Sequence, residues 1–500
     1  MIAMALAGEP DLLVADEPTT ALDATIQAQI LDLLARIRRE AGMAVVFISH
    51  DLAAVSAVCD RAAVMYAGRI VEENDIATLF DAPRHPYTVG LFEALPELDG
   101  PRQRLCPSKA LCPTRGTCPR AALSRPVAAE PAIFAARNAP FAAAGSRRRT
   151  RLLSPRPGPC RQAAPSRRNA GVGAMTTILK ATDLFQHYAT GKSLLRAPSM
   201  VRAVDGINLE VHEREILGVV GESGSGKSTL GRMLLGIEAP WSGSVTFQGK
   251  PMPHPKTAEW RALRREMQLI FQDPLAALDR RMTIADQIAE PLIIHRLAGP
   301  DAIRERAAEL MRKVGLRADQ AGRYPHELSG GQRQRVVIAR ALAMSPKFLV
   351  CDEPVSALDV SIQAQVVNLL RDLQEEQGLT MVFISHDLKV VRNLCDRVAV
   401  MYLGRVVEQG SADKIFGNPQ HPYTRALVSS VPRPGKGIGE RIILQGEPPN
   451  PARRPSGCAF HPRCPLADAA CRSEVPALTL YRGRLTACLK LQAAAAPELT

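Results

Sequence analysis

The sequence predicts an α/β fold built on a parallel sheet, and three segments between residues 175 and 500 carry that prediction. "ILGVV" at 216–220, "FLVCD" at 348–352 and "TMVFI" at 380–384 are unbroken apolar runs. They do not alternate apolar with polar side chains, so each strand is expected to be covered on both faces, as in a parallel sheet flanked by helices. The first run leads into "GESGSGKS" and then a helical pattern, which gives the order strand, glycine-rich loop, helix.

Each motif has a chemical reading. In the loop Gly221, Glu222, Ser223, Gly224, Ser225, Gly226, Lys227, Ser228 and Thr229, the glycines let backbone amides wrap phosphate oxygens at a helix N-terminus, where partial positive charge favours anions. Lys227 can reach the β- and γ-phosphates, and the Ser228 hydroxyl can ligate magnesium. The second strand delivers Asp352, suited to magnesium, and then Glu353, a candidate general base for an attacking water. Leu328, Ser329, Gly330, Gly331 and Gln332 form "LSGGQ" at the start of a helical run, a second anion-binding terminus.

The ordered set of these motifs with Gln272, the "SALD" of Ser356, Ala357, Leu358 and Asp359, and His386 resembles the nucleotide-binding domain of ABC transporters. The resemblance implies a P-loop NTPase fold: a RecA-like parallel core, an antiparallel β subdomain and a helical subdomain. It implies that two such domains close head to tail, with ATP and Mg2+ between the P-loop of one and the signature of the other. By the same resemblance Glu353, His386 and Gln272 are catalytic; Ser228, Gln272 and Asp352 hold the magnesium; Tyr188 stacks on adenine; and Asp359 lies at the dimer seam. Gln272 would also touch the transmembrane partner.

"YPHELSGGQRQR", "HPYT" and "GEPPNPARRPSGCAFHPRCP" narrow the resemblance to the ATPases of peptide and nickel importers. Those work as unlike pairs below two transmembrane permease subunits, fed by an extracytoplasmic solute-binding protein, at the cytoplasmic face of a bacterial inner membrane. The tail holds Cys458, Cys464, Cys471 and Cys488. In a cytosolic chain clustered thiols suggest a zinc or iron-sulfur site, with buried structural thiols as the alternative. Cys59 and Cys395 are read as core packing.

Bulk properties agree with this class. At 500 residues the chain exceeds the roughly 250–300 residues at which one core stops growing. No stretch approaches the ~18 consecutive apolar residues of a membrane span, and the first ten residues lack the pattern of a signal peptide. The net charge of +13 suggests a nucleic-acid partner, but residues 101–174 hold 15 Lys or Arg and one acid, Glu130, so no basic folded face is implied and no nucleic acid is expected.

The chain also repeats itself at a constant offset of 336 residues, Ile2 matching Ile338 and His85 matching His421. Residues 1–100 therefore read as the C-terminal part of a second, related ATPase, with Asp16, Glu17 and His50 but no P-loop, Gln-loop or signature. Its apolar strands are expected to expose unpaired edges. Residues 101–174, rich in Pro, Arg and Ala, read as a disordered junction, and a shifted reading frame would explain their composition. Residues 175–430 then form the complete domain and 431–500 the importer-type tail. Two other readings stay open: a soluble twin ATPase acting on ribosomes or DNA, and a degraded gene product.

Overall fold

The computed structural model describes residues 2–96 except 20–22; positions 98, 104, 105 and 132–136; residues 176–431 except 191–198 and 357; and 442–495 except 445 and 448. Its strands are β1 Leu12–Asp16, β2 Ala44–Ser49, β3 Arg61–Tyr66, β4 Arg69–Asp75, β5 Ala132–Ala136, β6 Thr177–Thr190, β7 Ser199–His212, β8 Ile216–Val220, β9 Ser242–Phe247, β10 Lys250–Pro251, β11 Met267–Ile270, β12 Phe348–Asp352, β13 Thr380–Ile384, β14 Arg397–Tyr402, β15 Arg405–Ser411, β16 Thr479–Tyr481 and β17 Arg484–Thr486.

The central sheet has the order β11-β12-β13-β8-β14-β15-β17-β16. Its first five strands are mutually parallel. The apolar runs that predicted this are buried throughout in β8 and β13. One face packs under Leu230, Met233 and Leu234 of the helix Lys227–Leu234, and the other joins the larger core that includes Val336, Val367 and Tyr423. Beside the sheet lie an antiparallel subdomain, β10-β9-β6-β7, and a helical subdomain with Ile284–Ile294, Pro300–Lys313 and Gly330–Leu342. This is the three-part architecture the resemblance implied. The tail adds its own strands β17 and β16 to the sheet edge.

The first hundred residues fold into a smaller sheet, β1-β2-β5-β3-β4. Its elements fall at the repeat offset: Ala24–Ala41 answers Val360–Gln377, and Pro86–Glu93 answers Pro422–Ser429. The junction is described only in part, and there it departs from the expected disorder. β5 pairs antiparallel with β2 and β3, in the slot that β8 fills in the larger sheet. The physical reason is that two neighbouring strands would otherwise leave unpaired amides and carbonyls, and "AIFAA" is an apolar segment able to satisfy them.

Contrary to the expected unpaired edges, β2 is paired on both sides by β1 and β5, and what this smaller sheet exposes is one apolar face. Leu12, Val14 and Ile70 are 53%, 58% and 59% exposed, whereas their repeat counterparts Phe348, Val350 and Val406 are at most 7% exposed. Those counterparts are covered by the P-loop helix and the antiparallel subdomain. Each of these side chains, still about half exposed, forgoes part of the roughly 1.5–3 kcal/mol of full burial, so the first unit is the weaker of the two.

The two units meet at a cavity lined by residues of both. Gln27, Ser49 and His50 line one side of a shared cavity, and their counterparts Gln363, Ser385 and His386 line the other. Past the first unit, Leu105 exchanges two hydrogen bonds with Asn368 (3.3 and 2.6 Å) and Arg104 pairs with Asp372 (2.6 Å), both on Val360–Gln377.

Candidate functional site

β8 ends where the loop 221–226 begins, and three glycines shape that loop. Gly221, Gly224 and Gly226 have φ of 152°, 74° and 95°. A Cβ at Gly221 would lie 2.1 Å from the Met401 carbonyl oxygen, and one at Gly226 would lie 1.9 Å from that of Ala203. At Gly224 nothing lies within 4 Å, so this side of the loop is open for a ligand. Gly226→Ala is therefore expected to cost roughly 2–5 kcal/mol and to abolish nucleotide binding, measured by denaturant unfolding and nucleotide titration.

Lys227 is buried and donates to the Gly221 and Glu222 carbonyls at 2.8 and 3.0 Å. Burial pulls its pKa down, against the opposing charges of Asp23, Glu353, Asp352 and Glu222. Ser228 Oγ donates to Asp352 Oδ1 at 2.9 Å. Burial raises the Asp352 carboxyl and the Ser228 hydrogen bond opposes that. A hydroxyl and a carboxylate at the foot of a phosphate cradle fit a nucleotide-bound magnesium. Such an ion would neutralise phosphate charge; Ser228 and Asp352 would hold it, with Gln272 nearby.

Glu353 follows β12 and holds a left-handed φ of 47°, a strained conformation for a non-glycine residue. Its Oε2 accepts from Gln272 Nε2 at 2.9 Å and lies 3.4 Å from His386 Nδ1. Burial would raise its pKa, but the His386 hydrogen bond and the charges of His386 and Lys227 hold it below the ordinary value. His386 moves the other way, raised chiefly by its hydrogen bond to Glu353. Both shifts favour the ionised pair: its stabilisation is lost as pH falls through the lowered Glu353 pKa or rises through the raised His386 pKa. The three residues expected to be catalytic are thus together, with the Glu353 carboxylate held towards its ionised form.

The signature stands apart on the helical subdomain. Ser329 caps Gly330–Leu342 in a reciprocal box with Gln332, and Ser329 and Gly330 are exposed. Gly331 packs against Ile362, and Leu328 is buried. Asp359 caps its own helix through Ile362 N at 3.0 Å, and Ser356 donates to the Glu353 carbonyl at 3.1 Å. Leu358 is buried, and Ala357 lies outside the described residues. Tyr188 lies on β6, its hydroxyl bonded to Glu238, while its neighbour His187 stacks on the exposed Trp241 at 4.7 Å.

Sequence reasoning missed two contacts. Asp23 of the first unit accepts from Ser223 N with both carboxylate oxygens at 2.8 Å and from Ser223 Oγ at 2.9 Å. Asp23 does not cap its own helix, unlike its counterpart Asp359. The second is a buried pair between Glu222 and Arg463 of the tail, 2.9 Å apart. The "GES" and "PRCP" motifs were visible, but nothing local relates residues so distant in sequence.

The metal expectation for the tail is not supported. Cys471 and Cys488 are buried and Cys458 and Cys464 half-buried, yet among the described residues no group of three or more His, Cys, Asp or Glu could hold a metal ion. Burial pushes Cys464 up to about 11 and raises Cys458 and Cys471, and the charge of the neighbouring tail cysteines adds to each rise. Cys59 and Cys395 are buried in cores, as expected. No helix among the described residues is long and apolar enough to cross a membrane.

Comparison with known proteins agrees with this geometry. A model of the ABC transporter family matches residues 204–356. A model of the oligopeptide/dipeptide transporter C-terminal region matches twice, at 71–119 and 407–471. The first match reaches past residue 100, where the repeat fades by eye. The oligopeptide transport ATP-binding protein OppD of Mycobacterium tuberculosis is 47% identical over 447 residues, covering 87% of this chain and 72% of that one. The glutathione import ATP-binding protein GsiA of Pectobacterium atrosepticum is 43% identical, covering 91% of this chain and 66% of that protein. The ADP- and Pi-bound ATP-binding cassette MJ0796 matches 47% of this chain at 30% identity, with a TM-score of 0.43. The chain belongs to the ATP-hydrolysing subunits of ABC transporters, in the oligopeptide-importer branch.

Proposed function

We propose that this ATPase energises uptake of di- or oligopeptides through a membrane permease. The observation that carries the reading is the importer-type tail, matched by the family model and bonded into the ATP site. The names of the relatives, one for oligopeptides and one for glutathione, point to the same solute class. Two transmembrane permease subunits and an extracytoplasmic solute-binding protein complete the assembly, with the ATPase peripheral at the inner face of the bacterial inner membrane. A second ATPase domain supplies the signature that closes over this P-loop. The test is uptake of a labelled tripeptide by vesicles holding the chain together with peptide-permease subunits and a solute-binding protein. ATP hydrolysis indifferent to permease and peptide would overturn the reading, and copurification with ribosomes or DNA would favour the soluble twin-ATPase alternative.

Residues 1–100 are proposed to be the C-terminal part of a related ATPase. Supporting this are the repeat offset, the shared element order and the earlier match to the C-terminal model. The unit contributes Asp23 to the P-loop but no phosphate loop of its own, and its Glu17–His50 pair, 2.9 Å apart, has no phosphate-binding lysine beside it. A chain begun at Met175 is expected to support uptake at least as well as the full chain. A more than tenfold fall would show that residues 1–100 are a working part.

A further inference from the structure

Glu222 is the second residue of the phosphate loop, and every one of its polar groups is held. Its backbone N–H donates to Tyr423 Oη at 3.0 Å. Its carbonyl accepts from Ser225 N at 3.1 Å and from Lys227 Nζ at 3.0 Å. Its carboxylate accepts from Arg463 Nη1 at 2.9 and 3.2 Å. The pair is closed to solvent, with Arg463 and Glu222 side chains 1% and 6% exposed.

The residues that hold Glu222 come from three separate segments of the C-terminal half. Tyr402 ends β14, beside the Met401 carbonyl that presses on Gly221, and its hydroxyl lies 3.5 Å from Arg463 Nη1. Tyr423 belongs to "HPYT", and Phe460 and Arg463 to "GCAFHPRCP". Phe460 packs against Tyr402 and Tyr423 with ring centroids 5.3 and 5.5 Å away, so the aromatic cluster seats the turn that carries Arg463. A surface ion pair would contribute little, but a desolvated pair is costly to break because the survivor is left as a buried, unpaired charge.

From this geometry we infer that the C-terminal tail is a structural part of the ATP site, with Arg463 as a positioning residue that fixes the phosphate loop through Glu222. The carboxylate ties the loop to the tail, while nothing lies within 4 Å of a Cβ at Gly224. Amides that bind phosphate must be held in place before the ligand arrives, and a loop free to shift loses affinity. The "GES" of the loop and the "PRCP" of the tail are then two halves of one device.

The test uses the full-length chain and a fluorescent ATP analogue, so that no permease is needed. Arg463→Met is expected to weaken binding about tenfold or more, because Glu222 is stranded and the loop released. Glu222→Gln with Arg463→Met, which strands no charge, is expected to recover most of that loss, and Arg463→Lys to fall between. Thermal unfolding is followed in parallel. If Arg463→Met lowers the melting temperature while nucleotide affinity stays within twofold, the pair is only a brace and the inference fails. If Arg463→Met does not fold, Glu222→Gln alone decides: weakened binding in a folded protein supports the inference, and unchanged binding overturns it.

Discussion

Replacing Glu353 by glutamine is expected to leave ATP binding intact and to slow hydrolysis by on the order of a hundredfold to ten-thousandfold. The carboxylate is held ionised by His386 and Lys227 and oriented by Gln272 at 2.9 Å. Glutamine keeps its size and an acceptor oxygen but cannot take a proton from water. The loop, Lys227 and Ser228 that bind nucleotide are untouched. Single-turnover hydrolysis beside equilibrium nucleotide binding separates the two effects. A fall of less than tenfold would mean that Glu353 is not the base, and binding lost together with turnover would mean that it supports the loop instead.

Lys227→Ala is expected to act on binding itself. A hydrogen bond to a charged group contributes about 1.5–3 kcal/mol, so ATP affinity should fall roughly ten- to hundredfold. Stability should move differently. The ammonium is buried and burial depresses its pKa, which is the sign of a charge that costs free energy to hold in the empty loop. Removing it should leave the unfolding midpoint unchanged or slightly higher while binding is lost. A variant that melts earlier and loses affinity in proportion would reduce Lys227 to a packing residue.

Much of the ATP site was legible because its chemistry is local. A loop with glycines at fixed spacing, a lysine and a hydroxyl must form a phosphate cradle when a buried strand precedes it and a helix follows. The carboxylates at 352 and 353 arrive at the strand end because an apolar run of that length emerges there. Even His386 could be placed, since it follows another such strand. Tyr188 shows the limit: three aromatic or imidazole side chains within four positions cannot be sorted by pattern. The structure then gives Tyr188 a hydroxyl contact with Glu238 and gives His187 the stack on Trp241.

The cysteines show a different limit. Four thiols in one tail have the composition of a metal site, but spacing says nothing about whether they converge as thiolates or pack as apolar groups. The structure buries Cys471 and Cys488 and half-buries Cys458 and Cys464. The strand at 132–136 was equally hidden, because a short apolar segment in a basic, proline-rich stretch becomes a strand only where two others leave a gap.

The sequence by itself determined the fold class, the phosphate loop, the carboxylates at the strand end and the importer-type tail, because each is written in a few adjacent residues whose local physics has one outcome. Only the tertiary structure decided that Arg463 of the tail pairs with Glu222 of the phosphate loop, and that Asp23 of the first unit rests on Ser223. Such contacts join residues some 200 or more positions apart. They depend on which side chain turns towards which, and that is settled by packing and desolvation rather than by any local pattern.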